Sequence, residues 1–250
     1  MLKTAISVLL VWVLVGQDGA AVPKGRLVVV GGGSMPEEVW RKMVELSGGK
    51  AAVAVVLPYA SELPKAGQSD VKRLQDLGVA AASIPPLDDP KALIEAIRKA
   101  DLVWMPGGDQ GRLMRALVKA DGAVEAIRER FRAGAVVGGT SAGAAVMSRT
   151  MIAGGSGERV EIAEGLALWP EVVVDQHFLK RNRQDRLRAA LGRHPGLVGV
   201  GIDESTAVVV GPAGCEVLGR SKVVLMDGRK GGELKVRELE TGAAFDLRKE

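Results

Sequence analysis

Ser141 stands in Gly139-Thr-Ser-Ala-Gly143, a G-x-S-x-G pattern between an apolar run (Ala135–Val137) and a run of small residues (Ala142, Ala144, Ala145). An activated serine needs this form. A sharp strand-to-helix turn lifts the hydroxyl clear of the backbone. Glycine two positions to either side removes side chains that would collide with strand and helix. The Ala142 amide, at the positive end of a helix over 142–148, then faces the reacting oxygen and supplies half of an oxyanion hole. A structural turn with a chance serine is the competing reading, and the strand before and the alanines after weigh against it. A phosphate-binding loop is disfavoured, because no lysine follows in G-x-x-x-x-G-K-S/T spacing.

A serine nucleophile usually needs a histidine base, and the chain has only 2. His194, in Gly192-Arg-His-Pro-Gly196, lies at a polar helix exit and reads as a surface or capping residue. His177 follows the apolar run Val172–Val174 in Asp175-Gln-His-Phe178. That puts it at the carboxyl edge of a strand, so His177 is the expected base. The third member is a carboxylate that holds the ring by its far nitrogen. Glu204 and its neighbour Asp203, in Gly201-Ile-Asp-Glu-Ser205, both fit, and spacing does not separate them.

The segment Asp175–Leu187 is dense in charge. Most such runs are solvated helix faces. Here Asn182 resembles an N-cap, which puts Arg183 in the first helical turn, where an exposed cation opposes the dipole at about 0.3–1 kcal/mol. Arg183 and Arg186 share a face at i, i+3 spacing. Cations gathered there suggest a carboxylate-bearing substrate held by guanidinium forks. Gln110 sits on the opposing loop Pro106-Gly-Gly-Asp-Gln110. Gly107 and Gly108 let backbone approach a substrate, and an amide there completes the oxyanion hole; the alternative is a plain turn.

Other signals are weaker. Gly31-Gly-Gly-Ser34 lacks G-x-G-x-x-G spacing and reads as an active-site wall or tight turn. There is no metal-ligand spacing. Trp40 and Trp104 lie in apolar periodic runs and belong to the core. Cys215, the 1 cysteine, excludes an intramolecular disulfide and fits a buried strand.

The elements that must position these residues alternate. Strand-like runs at Leu27–Val30, Ala52–Leu57, Val79–Ile84, Leu102–Met105 and Ala135–Val137 are separated by helical spacing at Pro36–Leu46, Ser69–Leu77, Asp89–Lys99, Arg112–Lys119 and Gly122–Ala133. This order predicts an α/β fold with a doubly wound, mostly parallel sheet and flanking helices. Ligands then sit beyond the carboxyl ends of the strands, where loops 31–34, 107–110 and 138–143 lie. After a helix over Arg183–Leu191, short runs between turn residues predict a C-terminal antiparallel extension on one side of the sheet.

The chain has 250 residues, 47% hydrophobic and 26% charged, enough for one full domain over 22–250. Residues 1–21 read as a secretory signal peptide. Lys3 gives the positive start, Ala5–Val15 is an apolar run of 11 residues, and Gly19 and Ala21 offer a cleavage site. The run is shorter than the ~20 apolar residues of a spanning helix, so no membrane association is expected after cleavage. Export without disulfides points to a bacterial periplasm or exterior. The net charge of +4 is spread along the chain with no basic run bearing aromatics; nucleic-acid binding is not indicated.

The chain resembles cyanophycinase and its relatives, the peptidase E-like serine peptidases with a glutamine-amidotransferase-like α/β fold. The carrying segments are LVVVGGG (27–33), PGGDQ (106–110), GTSAGAAVMS (139–148), DQHFLKRNRQDR (175–186) and GIDESTA (201–207). The resemblance implies a Ser141–His177–Glu204 triad and no cofactor. It also implies a cleft lined by Gln110, Asp175, Gln176, Arg181, Arg183 and Arg186. The implied substrate is a poly-aspartate backbone bearing arginine through isopeptide links, cut from its end into β-aspartyl-arginine dipeptides. In that reading the oxyanion rests on amides near Gly108 and Ala142, the arginines hold aspartyl carboxylates, and Asp175 pairs with a substrate guanidinium. A homodimer is compatible with it. Ser61–Asp70 and Gly154–Glu164 look short compared with the family, and these loops shape the pocket. Competing readings are an α- or iso-aspartyl dipeptidase and a non-catalytic binding module.

Overall fold

The computed structural model describes residues 23–229 and 233–249; the expected signal peptide lies outside them. Five parallel strands form the centre: β1 (Arg26–Val30), β2 (Val53–Val56), β3 (Ala81–Ser83), β4 (Leu102–Met105) and β5 (Val136–Thr140). Three C-terminal strands, β10 (Thr206–Gly211), β11 (Gly214–Gly219) and β14 (Ala244–Phe245), continue the same sheet beyond β1, each antiparallel to the strand before it. Its order is β14-β11-β10-β1-β5-β4-β2-β3.

The inner parallel strands β1, β2, β4 and β5 are buried on both faces, as parallel strands between helical layers must be, while β3 at the sheet edge is largely exposed. Side chains alternate. Leu27 and Val29 face one core with Val55, Val103 and Val137. Val28 and Val30 face another with Ala54, Val56 and Trp104. The second core is covered by α1 (Glu37–Leu46) and α2 (Gln68–Asp76), whose Trp40 and Leu74 are buried. Trp40 and Trp104 pack with ring centroids 5.1 Å apart. The first core is covered by α3 (Pro90–Lys99), α4 (Gln110–Lys119), α5 (Ala123–Ala133) and α6 (Ala142–Ala145). Two of these starts follow the capping rule. Asp89 accepts from the Ala92 amide at 3.0 Å with Pro90 at the first position, and Asp109 accepts from the Arg112 amide at 2.5 Å.

The expected extension divides in two. Beside β10, β11 and β14, a separate sheet of order β13-β12-β9-β8 forms from β8 (Val172–Gln176), β9 (Val198–Ile202), β12 (Val223–Asp227) and β13 (Lys235–Leu239). Within it β8 and β9 run parallel, connected by α7 (Gln184–Arg193). One face joins the first core through Val172, Val174 and Val200; the other packs Val173 and Val224 under α7. Gly154–Glu164, expected as a loop, lies within a hairpin of β6 (Thr150–Ser156) and β7 (Arg159–Glu164) with a bulge between Ile152 and Gly154. Cys215 is buried in β11 as expected, and burial pushes its thiol up to about 12.

Candidate active site

Strand register brings four chain segments together. Val30 on β1 pairs with Thr140 on β5, so Gly31 and Ser141 leave the main sheet side by side. Gln176 on β8 pairs with Ile202 on β9, so His177 and Asp203 leave the second sheet side by side. The two exits are then tied to each other. The His177 amide donates to the Gly31 carbonyl at 2.6 Å, and the Ser205 amide donates to the Gly32 carbonyl at 2.8 Å. Loop 31–34 is therefore the expected wall, stitched to both sheets.

The turn at Ser141 is sharp. Its φ is 53° and ψ −108°, outside the wells an ordinary residue prefers. The flanking glycines are obligatory. A Cβ on Gly139 would lie 2.4 Å from the Gly143 carbonyl oxygen, and one on Gly143 would lie 1.9 Å from that of Met105. The helix that follows is shorter than the expected 142–148. It closes at Ala145, and the buried Ser148 instead accepts a hydrogen bond from the Val174 amide at 2.9 Å, fixing β8 beside the elbow.

His177 Nε2 lies 3.0 Å from Ser141 Oγ, and its Nδ1 lies 2.6 Å from Glu204 Oε1. Two side chains separated by 36 positions thus meet at proton-transfer distance. With Nδ1 donating to the carboxylate, Nε2 is free to accept the serine proton. The imidazole is 7% exposed. Burial is the main influence on it and holds its pKa below 6.5; the Glu204 hydrogen bond pulls upward, and nearby Arg181 and Arg183 push it down again. A neutral imidazole is the form a general base requires.

Asp203 is engaged elsewhere. It accepts from the Lys180 amide at 2.9 Å and from the Ser221 hydroxyl at 2.7 Å. Burial pushes its carboxyl up, but these hydrogen bonds outweigh it and leave the pKa below the ordinary value. Asp203 braces the turn, while Glu204 is the carboxylate that meets His177 Nδ1.

Among the described residues, neither the Gly108 nor the Ala142 amide donates to a protein acceptor. The turn that carries Gly108 lies against the nucleophile: a Cβ on Gly107 would be 3.4 Å from Ser141 Cβ.

The charged cluster is arranged differently from the expectation. Asn182 adopts φ 50° and does not cap; Arg183 occupies the N-cap position of α7. Asp175 is fully buried and does not line the cleft. Arg186, 7% exposed, binds it through two bonds of 2.8 and 2.5 Å and also donates to the Gly155 carbonyl at 3.3 Å. Burial pushes the Asp175 pKa up, while Arg186 and Arg183 pull it down. Neither Asp175 nor Arg186 is therefore placed to touch a substrate: each has the other as partner, and a buried charge needs one. Arg183 donates to the carbonyl and to the side-chain oxygen of Gln176, both at 2.7 Å, and lies 3.6 Å from Asp175. Burial and the neighbouring Arg186 cation lower its pKa to about 10. Gln176 is 5% exposed and acts as its clamp. Arg181 is exposed and, with Arg183, supplies the positive field felt by His177.

Gln110 begins α4, but its amino group turns to the hairpin. It donates to the carbonyls of Ile152 and Ala153 at 3.1 and 2.8 Å. This leaves only its side-chain oxygen for a ligand. Sequence reasoning missed β6 and β7 as the elements that Gln110 and Arg186 hold; alternation in Arg159-Val-Glu-Ile after the Gly157 turn is the signal that could have shown them. Among the described residues no group of three or more His, Cys, Asp or Glu could hold a metal ion.

Comparison with known proteins bears on family and fold. The cyanophycinase of Geminocystis herdmanii is 38% identical over 223 residues, covering 82% of this chain and 82% of that one. The cyanophycinase of a Nostoc species is 38% identical over 221 residues, covering 82% and 74%. The crystal structure of a peptidase from an acI-B1 actinobacterium superposes with a TM-score of 0.68 at 24% identity, over 89% of this chain and 97% of that one, and shares the fold. The profile of peptidase family S51 matches residues 27–217, three-quarters of the chain, so this protein belongs to family S51 and is a serine-type exopeptidase.

Proposed function

We propose that the protein hydrolyses β-aspartyl-arginine linkages of cyanophycin and releases β-aspartyl-arginine dipeptides. The observation that carries the reading is the aligned Glu204–His177–Ser141 chain, with contacts of 2.6 and 3.0 Å, beside a cationic rim. Its substrate class rests on the similarity to cyanophycinases and on Arg181 and Arg183, which suit a ligand bearing carboxylates.

The proposed steps use the Ser141–His177–Glu204 contacts. Ser141 Oγ attacks the scissile carbonyl while His177 Nε2 takes its proton. Glu204 stabilises the imidazolium. The oxyanion rests on the amides of Ala142 and Gly108. Collapse breaks the C–N bond, and His177 protonates the departing amine. Water then attacks the acyl-enzyme, giving its proton to His177, which returns it to Ser141 as the acid leaves.

Mass spectrometry of products after incubation with cyanophycin tests this. Release of β-aspartyl-arginine by the wild type and none by a folded Ser141→Ala variant is expected. Fast cleavage of aspartyl dipeptides with inert polymer would point instead to a dipeptidase. The first 21 residues support export, so polymer or peptides outside the cytoplasm are the proposed supply.

A further inference from the structure

Beyond the triad, the carboxyl ends of β2 and β3 open into a second groove of about 700 Å³. One wall is the loop after β2, from Pro58 to Ala66; the floor is α4. Loop and catalytic turn are in direct contact: the Asp109 amide donates to the Ala60 carbonyl at 2.9 Å. The groove therefore begins one turn away from the Gly107–Gly108 backbone that faces Ser141.

Its chemistry is distinctive. Arg112, Arg115 and Lys119 lie at i, i+3 and i+7 of α4, forming one cationic stripe along the floor. Two carboxylates are interleaved with it: Glu62 pairs with Arg112, and Asp109 lies 3.7 Å from Arg115. Leu63 and Leu87 line the groove although 73% and 39% exposed, an uncovered apolar surface for which the fold itself gives no reason.

We propose that this groove is a remote subsite for the polymer chain, holding units several positions from the scissile bond. The inference rests on the polymer reading above. Each unit of such a polymer carries one carboxylate and one guanidinium on a short aliphatic stem. The interleaved cations and carboxylates match that alternation, and the leucines match the stems. The lengths agree as well. From Arg112 to Lys119 the stripe advances roughly 10 Å at ~1.5 Å per residue, the span of about three extended backbone units at ~3.5 Å each. A two-unit segment bound at Ser141 would not reach the far end.

The test compares cyanophycin with a two-unit segment, (β-Asp-Arg)2, as substrates of the wild type and of R112Q/R115Q/K119Q. For the polymer, KM should rise about tenfold in the variant, the size expected for three rim contacts, with kcat unchanged. For the two-unit segment, both constants should stay within about twofold, which also reports an intact fold. Added salt at about 0.5 M should raise the wild-type polymer KM toward that of the variant. An unchanged polymer KM overturns the subsite, as does an equal loss on both substrates. If the wild type cleaves the two-unit segment but not the polymer, the polymer reading fails and the subsite with it.

Discussion

Gly32 passes so close beneath His177 that a single added carbon would lie 2.4 Å from the imidazole Cε1 and 2.5 Å from Nε2. The position also has φ of 109°, which a side chain rarely tolerates. The loop expected as an active-site wall is thus the seat on which the His177 ring rests. Gly32→Ala should tilt the imidazole away from Ser141. Misplacement of a catalytic group by about 1 Å costs ~100-fold in rate, so kcat should fall by that order. Circular dichroism should remain that of the wild type.

The two neighbouring carboxylates should separate cleanly. Glu204→Gln removes the anion that sets the imidazole tautomer, and kcat should fall by about 10³–10⁴. Asp203→Asn should leave kcat within a few-fold and lower the thermal midpoint, because it loosens the Lys180 and Ser221 hydrogen bonds. The reverse pattern in steady-state kinetics would exchange their roles.

Asp175 and Arg186 make a prediction about stability. Removing one member of a buried pair typically costs about 3–5 kcal/mol, because it strands the other charge. Asp175→Asn should show a loss of that size in urea unfolding. The double replacement Asp175→Leu with Arg186→Met leaves neither charge buried and should regain much of it. Additive losses would show that the pair is not the source of the effect.

The pH dependence follows from the lowered His177 pKa. The base works only when neutral, and a depressed pKa keeps it neutral further into acid. The acid limb of kcat/KM should therefore have its midpoint below the ordinary 6.5. Arg181→Gln removes a cation that pushes the pKa down, so that midpoint should move upward. Stability has a matching sign. The unfolded chain takes up the proton first as pH falls past 6.5, so His177 erodes stability between that value and its folded pKa. NMR titration of the imidazole checks both statements.

Gln110 should matter through the hairpin. Gln110→Glu would set a carboxylate against the Ile152 and Ala153 carbonyls. Hydrogen exchange over residues 150–164 should speed up, while exchange in β5 stays slow. Unchanged protection of the hairpin would mean that Gln110 is not its anchor.

What the sequence made legible follows from what a sequence encodes. Gly139, Ser141 and Gly143 declare an elbow because each has one steric reason to be there. His177 could be picked because His194 sits at a helix exit, and it does occupy the C-cap position of α7. The parallel strands were legible as valine-rich runs. Asp203 and Glu204 were not separable, since adjacent residues point to opposite sides of a strand end and only the three-dimensional register decides which meets the imidazole. Asp175 and Arg186 read as substrate groups because sequence displays a charge and hides its partner, 11 positions away. Asn182 read as a cap by residue type, yet its backbone is left-handed. The second sheet was invisible because strand length and pattern say nothing about which sheet a strand joins.

Three residues around the reacting serine, Ser141, His177 and Ser205, hold φ of 53°, 49° and 57°. Positive φ of this kind costs a non-glycine residue about 1 kcal/mol or more. A laboratory evolution campaign rewarding heat resistance alone would then be expected to install glycine at these places. At 141 and 177 that change removes the hydroxyl or the imidazole, so a screen for this enzyme has to score turnover and survival together.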